Sequence, residues 1–187
     1  DDVIQTLAQG VGESVALATV LGDATRFPHL KDQRPDLYRG FMERTWANAS
    51  SDGIVSLIHP ESHFTEKKAA PLRAGAYLRL RRHAHFQNQL KLFDIGGTRF
   101  FGVHIYGTPR TDPHYLNASN MYHPSTFVNS LIHNGDGPLP GFKDDDHNWD
   151  LRPHKDRVQI VDTDTLEVWR SILEDPGTPL LETRTVY

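Results

Sequence analysis

The sequence contains no cysteine. That excludes a disulfide framework, thiolate metal sites and a cysteine nucleophile. It has no apolar run of membrane-spanning length and no signal peptide, so the expectation is a cytoplasmic protein with no membrane partner. An excess of one charge is also missing. Lys and Arg number 20 against 24 Asp and Glu, a formal net charge of −4 with the 11 His counted as neutral. That balance neither marks nor excludes a nucleic-acid partner, because patches decide more than totals. The chain opens at Asp1-Asp2-Val3 without methionine, as expected of a fragment or a processed chain whose upstream motifs lie elsewhere. No Gly-x-Ser-x-Gly elbow offers a hydrolase nucleophile, and Gly96-Gly97 is not followed by the Lys-Ser/Thr of a phosphate loop.

What is present is enough for a real core: 187 residues, 37 % apolar and 10 % aromatic. Val3 to Val20 is rich in Ala, Leu and Val and is partly helical by composition, before Pro28 breaks it. Pro35 has the place of a first-turn proline, and Leu37, Phe41, Met42 and Trp46 recur at helical spacing, which predicts a helix over 35–49. Ile54 to Ile58 reads as a buried, parallel strand. A helix over 66–84 would place Leu72, Ala76 and Leu80 on one face. Gln89–Phe93 and Phe100–Tyr106 read as two strands of a hairpin turning at Gly96-Gly97, with Phe101, Val103 and Ile105 on one face. Residues 107–157 read as loops with one or two short elements. A last helix follows, capped by Asp164 with Glu167, carrying Leu166, Trp169, Ile172 and Leu173. Alternating helices and strands give an α/β layered sheet.

Three groups of residues invite chemistry. The basic set Arg73, Arg79, Arg81, Arg82, His83 and His85 suits phosphate contacts, or simply a solvated helix face. His83-Ala84-His85 and His59…His63 have ligand-like spacings. Pro60 argues against a helix joining the second pair, however, and no matching Cys, His or Glu set completes a tetrahedral site, so no metal is expected. Asp144 to Asn148 begins like a calcium loop but has Trp149 in place of the turn glycine and Lys155 in place of the bidentate Glu, so it reads as a solvated acidic loop with Trp149 as an exposed contact.

Asp36-Leu37-Tyr38-Arg39-Gly40-Phe41-Met42-Glu43-Arg44, then Gly53 to Thr65 with Pro60, Ser62 and Phe64, then a basic helix containing Leu72-Arg73 follow one another in order. A strand ending in Phe93 and the aromatic-x-Val-x-Ile-Tyr strand close the series. Over Asp36–Tyr106 this resembles the later half of the catalytic domain of gamma-type DNA adenine-N6 methyltransferases of restriction-modification and phage-exclusion systems. The resemblance implies the later half of a Rossmann-like class I sheet, a parallel strand plus an antiparallel edge hairpin with flanking helices, followed by a loop-rich C-terminal extension.

It also implies S-adenosylmethionine as cofactor of the complete enzyme and double-stranded DNA as partner. In this family a flipped adenine is held by stacking and hydrogen bonds, and the loop after the Ile54–Ile58 strand would border it with His59, Pro60, Glu61, Ser62, His63 and Phe64. Ser62 or Thr65 could equally cap the next helix. The family's cofactor turn and its Asn-Pro-Pro-aromatic loop are missing; Gly10-Val11-Gly12 and Arg34-Pro35-Asp36 fit neither. No catalytic or cofactor-binding residue is therefore assigned. The expectation is a partial catalytic domain over 1–106 and an extension over 107–187, inactive and without cofactor when alone, completed by an N-terminal half and accompanied by nuclease or other defence subunits. The alternatives are a non-catalytic DNA- or protein-binding module of a defence complex, and a structural relic of the fold.

Overall fold

Residues 2–34 and 36–187 are described by a computed structural model; the first-turn place expected of Pro35 lies outside them. Five strands form one mixed sheet in the order β1-β3-β2-β4-β5: β1 Val55–His59, β2 Leu80–Gln87, β3 Phe100–Tyr106, β4 Tyr115–Met121 and β5 Gln159–Val161. The architecture is α/β. β3 lies between β1 and β2 and is antiparallel to both, so β1 and β2 run the same way. β2 and β4 form the one parallel pair, and β4 and β5 are antiparallel. The region beyond residue 107 thus supplies two strands to the same sheet.

Helices surround the sheet: α1 Asp2–Leu21, α2 Leu37–Asn48, α3 Ser62–Thr65, α4 Ala70–Arg79, α5 Pro124–Ser130 and α6 Thr163–Leu173. One sheet face packs on α2, α3, α4 and α6 through Met42, Phe64, Leu72, Ala76, Tyr77, Leu80, Tyr106, Tyr115, Val161 and Leu166. Leu72 and Ala76 are fully buried on one stripe of α4, as their spacing predicts, and Leu80 is buried just beyond its end. Burying a leucine of this kind contributes roughly 2 kcal/mol. The opposite face carries Ala84, Phe86, Phe101, Ala118 and Met121, with Val103 and Phe127 packed beside them. Among the described residues no helix is long and apolar enough to cross a membrane.

Several expectations are corrected. The helix expected over 66–84 stops at Arg79, and Leu80 turns extended and opens β2. His83 to Phe86 are buried consecutively because both faces of β2 are covered, and pairing with β3 and β4 satisfies their backbone, which overrides helical propensity. The run 89–93 is no strand. A 3₁₀ turn at Asn88–Leu90 leads into a loop held by the Asn88 side chain, which bonds the Phe93 amide and the Phe93 and Ile95 carbonyls. The partner of β3 in the hairpin is therefore β2. β1 is an edge strand, antiparallel to β3, not a parallel one. Of the four apolar residues expected on the buried face of α2, Met42 is fully buried, Trp46 is half-buried, and Leu37 and Phe41 face outward. The cap of α6 is Asp162, whose carboxylate accepts from the Thr165 amide, two residues earlier than Asp164. On α6 Leu166 and Trp169 are buried while Ile172 is exposed.

Candidate functional site

The register of the sheet sets the site. One cross-strand row is Leu57 on β1, His104 on β3, His83 on β2 and Asn117 on β4. The next row is His59, Gly102 and His85. Strand side chains alternate, so Gly102, His104 and Tyr106 share the face that packs on the helices. Over Gly102, where no side chain stands, lies the carboxylate of Glu61 from the loop after β1; an added Cβ there would overlap Glu61 Oε1 and the His104 ring.

Four imidazoles and one carboxylate consequently meet in a buried place. Glu61 Oε1 contacts His83 Nε2 closely and stands 3.2 Å from His104 Nε2, while Oε2 lies 3.4 Å from His85 Nε2. His59 stacks on His104 with ring centroids 3.8 Å apart. The histidine tautomers follow from their partners. His83 Nδ1 lies 2.7 Å from Asn117 Oδ1, and the Asn117 amide nitrogen donates to Ser119 Oγ, so the oxygen faces His83 and Nδ1 donates. In a neutral His83 ring, Nε2 then presents a lone pair to Glu61. His85 Nδ1 accepts the Asn120 amide, leaving Nε2–H to face Glu61. His59 Nδ1 donates to the Pro60 carbonyl.

Burial pushes the His104 ring down to about 4 and the His59 ring down to about 3; burial likewise holds His63 well below its ordinary value and lowers His85. For Glu61 burial acts upward, but the adjacent His83 and His104 win and keep the carboxyl well below the usual range. Polar atoms remain without hydrogen-bond partners among the described residues: Glu61 Oε2 and both ring nitrogens of His104 and of His63.

Beside this cluster opens a cleft of about 670 Å³ lined by Pro60, Glu61, Ser62, His85, Arg99 and Phe100, with Asn120 and Tyr187 on its rim. Its walls are aromatic. His85 stacks on Tyr187 at 4.1 Å and on Phe100 at 5.0 Å. Phe100 is 48 % exposed, so one ring face is free for a ligand.

Of the six residues expected around a target base, Pro60, Glu61 and Ser62 line this cleft. His59, His63 and Phe64 are buried behind it. Phe64 packs on Tyr77 in the core and is not free to stack on a base. The capping role is not realised either: the next helix, α4, and the turn before it start without a side-chain cap, while Ser62 Oγ bonds Tyr38 Oη and Arg39 Nη2 and Thr65 Oγ1 donates to the Ser62 carbonyl.

The basic set divides more sharply. Arg73 is 1 % exposed and donates to the backbone carbonyls of His63, Glu66 and Glu182, so it is a structural clamp and not a phosphate contact. His83 and His85 are buried in the cluster. Arg79 lies over Trp46 at 4.8 Å and bonds the Gly75 carbonyl, and Arg81 bonds the Arg79 and Leu80 carbonyls and reaches the Thr108 carbonyl. Arg82 alone of the six is fully exposed. Trp149 is half-buried between Tyr122 and the Lys143 ammonium, and Asp144 spends its carboxylate on the Asp146 and Asn148 amides of its own loop.

His104, Phe100, Arg99, Asn117 and Tyr187 were not singled out in the sequence. The usable signal was His104 itself: it alternates with Phe101, Val103 and Ile105, which places a histidine on the other, inward face of a central strand. The sequence matches no protein-family model and no curated protein.

Proposed function

We infer that this chain is part of a DNA adenine-N6 methyltransferase of the restriction or phage-defence kind, and that it supplies the side of the site that receives the target base. The observation that carries this reading is the cleft at the end of β1. It combines a free aromatic face on Phe100, the polar groups of Ser62 and Asn120, and the Arg99 guanidinium, in a volume of about 670 Å³ that suits a nucleotide. Two strands of like direction, split by an antiparallel third, also agree with the half-sheet that the resemblance implies.

The glycines beside the cleft, Gly96-Gly97, lie in the loop before β3 and not in a turn after the sheet's first strand, so the chain's own residues do not fit S-adenosylmethionine and no step is derived through it. In this reading the cofactor and the Asn-Pro-Pro-aromatic loop belong to an N-terminal half that pairs along the outer edge of β1, which has no strand partner among the described residues. Ile54 and Ile58 are exposed along that edge. A non-catalytic protein-binding role is favoured by one separate feature: α1 carries Val3, Leu7, Val11 and Val15 as an exposed stripe at four-residue spacing.

The test is methyl transfer from labelled S-adenosylmethionine to unmethylated DNA, comparing this chain with the complete gene product. Activity in the complete product alone is expected. Activity in neither removes the methyltransferase reading, and activity in this chain alone would mean that its catalytic residues lie elsewhere in it.

A further inference from the structure

The cluster behind the cleft has a chemistry that base recognition does not use. Glu61 Oε1, His83 Nε2 and a His104 ring nitrogen all lie within 4.8 Å of one another, all three residues buried. In a neutral His83 ring Nε2 turns a lone pair towards the carboxylate, because Asn117 takes the Nδ1–H. Two electron-rich atoms in close contact require a cation between them, either a proton or a metal ion. His104 argues for the metal. Its Nε2 stands 3.2 Å from the same carboxylate oxygen, yet neither ring nitrogen has a hydrogen-bond partner, and Glu61 Oε2 has none. A single proton between His83 and Glu61 leaves the buried His104 ring nitrogens without a partner. One metal ion takes a ligand atom from each of the three residues, and the second carboxylate oxygen is left to the His85 Nε2–H.

We propose that Glu61, His83 and His104 bind a first-row divalent metal ion, with zinc the best fit, at the floor of the cleft. Two neutral imidazoles and one carboxylate are a recurrent ligand set for zinc with an open fourth position. Tetrahedral ligands at about 2.0–2.2 Å from zinc stand roughly 3.3 Å from one another, close to the 3.2 Å between His104 and Glu61. The His83–Glu61 contact has only to open by less than a bond length. The surroundings are those of a built site. Asn117 fixes the His83 tautomer, as the partners of ligating histidines do. The Nε2–H of His85 faces the other carboxylate oxygen. Gly102 leaves the space that the carboxylate enters. Because Glu61 and His85 also line the cleft, the open position faces whatever the cleft holds.

This inference does not depend on the methyltransferase reading, since its readout is metal binding and not methyl transfer. The experiment is titration of the chelator-treated chain with Zn²⁺ and with Co²⁺, followed by calorimetry, thermal unfolding and visible absorption. One equivalent of Zn²⁺ should bind and raise the melting temperature, and Co²⁺ should give d–d bands of nitrogen and oxygen ligation. Glu61→Gln and His104→Gln should each weaken binding by about tenfold or more, while His114→Ala, at an exposed histidine, should leave it unchanged. If a ligand variant fails to fold, the Co²⁺ spectrum of the unaltered chain decides on its own. Absence of saturable binding, or binding that survives both ligand substitutions in folded protein, would overturn the proposal and leave Glu61 and His83 as a proton-sharing pair.

Discussion

Glu61 occupies the space that Gly102 leaves open: its carboxylate sits where any side chain at position 102 would have to stand. The loop after β1 and the middle of β3 are thereby locked together, and the histidines on either side inherit their partners from that one contact.

Gly102→Ala should therefore destabilise the protein by about 1–3 kcal/mol, the usual cost of overfilling a packed site. The sign is informative. Glycine inside a strand is normally a weakness that alanine relieves, so a neutral or stabilising result in urea unfolding would contradict the placement of Glu61.

Arg73 and Arg82 should behave as opposites. Arg73→Met removes the donors that hold the His63, Glu66 and Glu182 carbonyls and should cost about 3 kcal/mol or more in denaturant unfolding. Arg82→Ala, at an exposed position, should change stability by less than about 0.5 kcal/mol. Measured with duplex DNA, Arg82→Ala should lower the slope of log affinity against log salt by about one if it meets a phosphate. An unchanged slope would remove it from the interface.

Phe100→Ala addresses the stacking wall of the cleft. Half-exposed, Phe100 should be removable without unfolding the chain. If a flipped base rests on it, binding of the complete gene product to DNA with an unpaired base at the target position should weaken by about 1–3 kcal/mol. Equal affinities in a fluorescence-anisotropy titration would dismiss that role.

Asp162→Ala should remove the N-cap of α6 and cost about 1 kcal/mol. The Thr165 amide and hydroxyl hold the Asp162 carboxyl below its ordinary value. A group lowered on folding stabilises the fold at pH values above its unfolded titration, near pH 4, and that stability is lost as the pH falls through the lower folded value. The difference between the native chain and Asp162→Ala should thus be full at neutral pH and shrink on acidification. A difference constant with pH would mean that the charge plays no part in the cap.

The helices were legible because their cause is local. Leu72 and Ala76 announce the buried stripe of α4, and Leu166 and Trp169 that of α6. β2 was not legible: Arg79 to Arg82 carry on from a helix without a breaker, and only pairing with β3 and β4 makes the run extended. The same limit applies to the site. Glu61, His83 and His85 stood out in the sequence, but for base and phosphate contacts, because nothing local says that β3 passes between β1 and β2 and brings His104 to them. Arg73 shows the complementary failure. A charge in a basic stretch reads as surface, and whether three carbonyls converge on it is decided by Glu182, more than a hundred residues away.

The insertion of β3 between its neighbours also dictates an order of events during synthesis. Among the described strands β1 has no partner until β3 is made, about fifty residues later, so this loop-closing pairing is non-local and slow. Until β3 pairs with it, the inner edge of β1 stays open, the circumstance in which nascent chains aggregate or recruit chaperones. The histidine cluster consequently cannot form before β3 has been made.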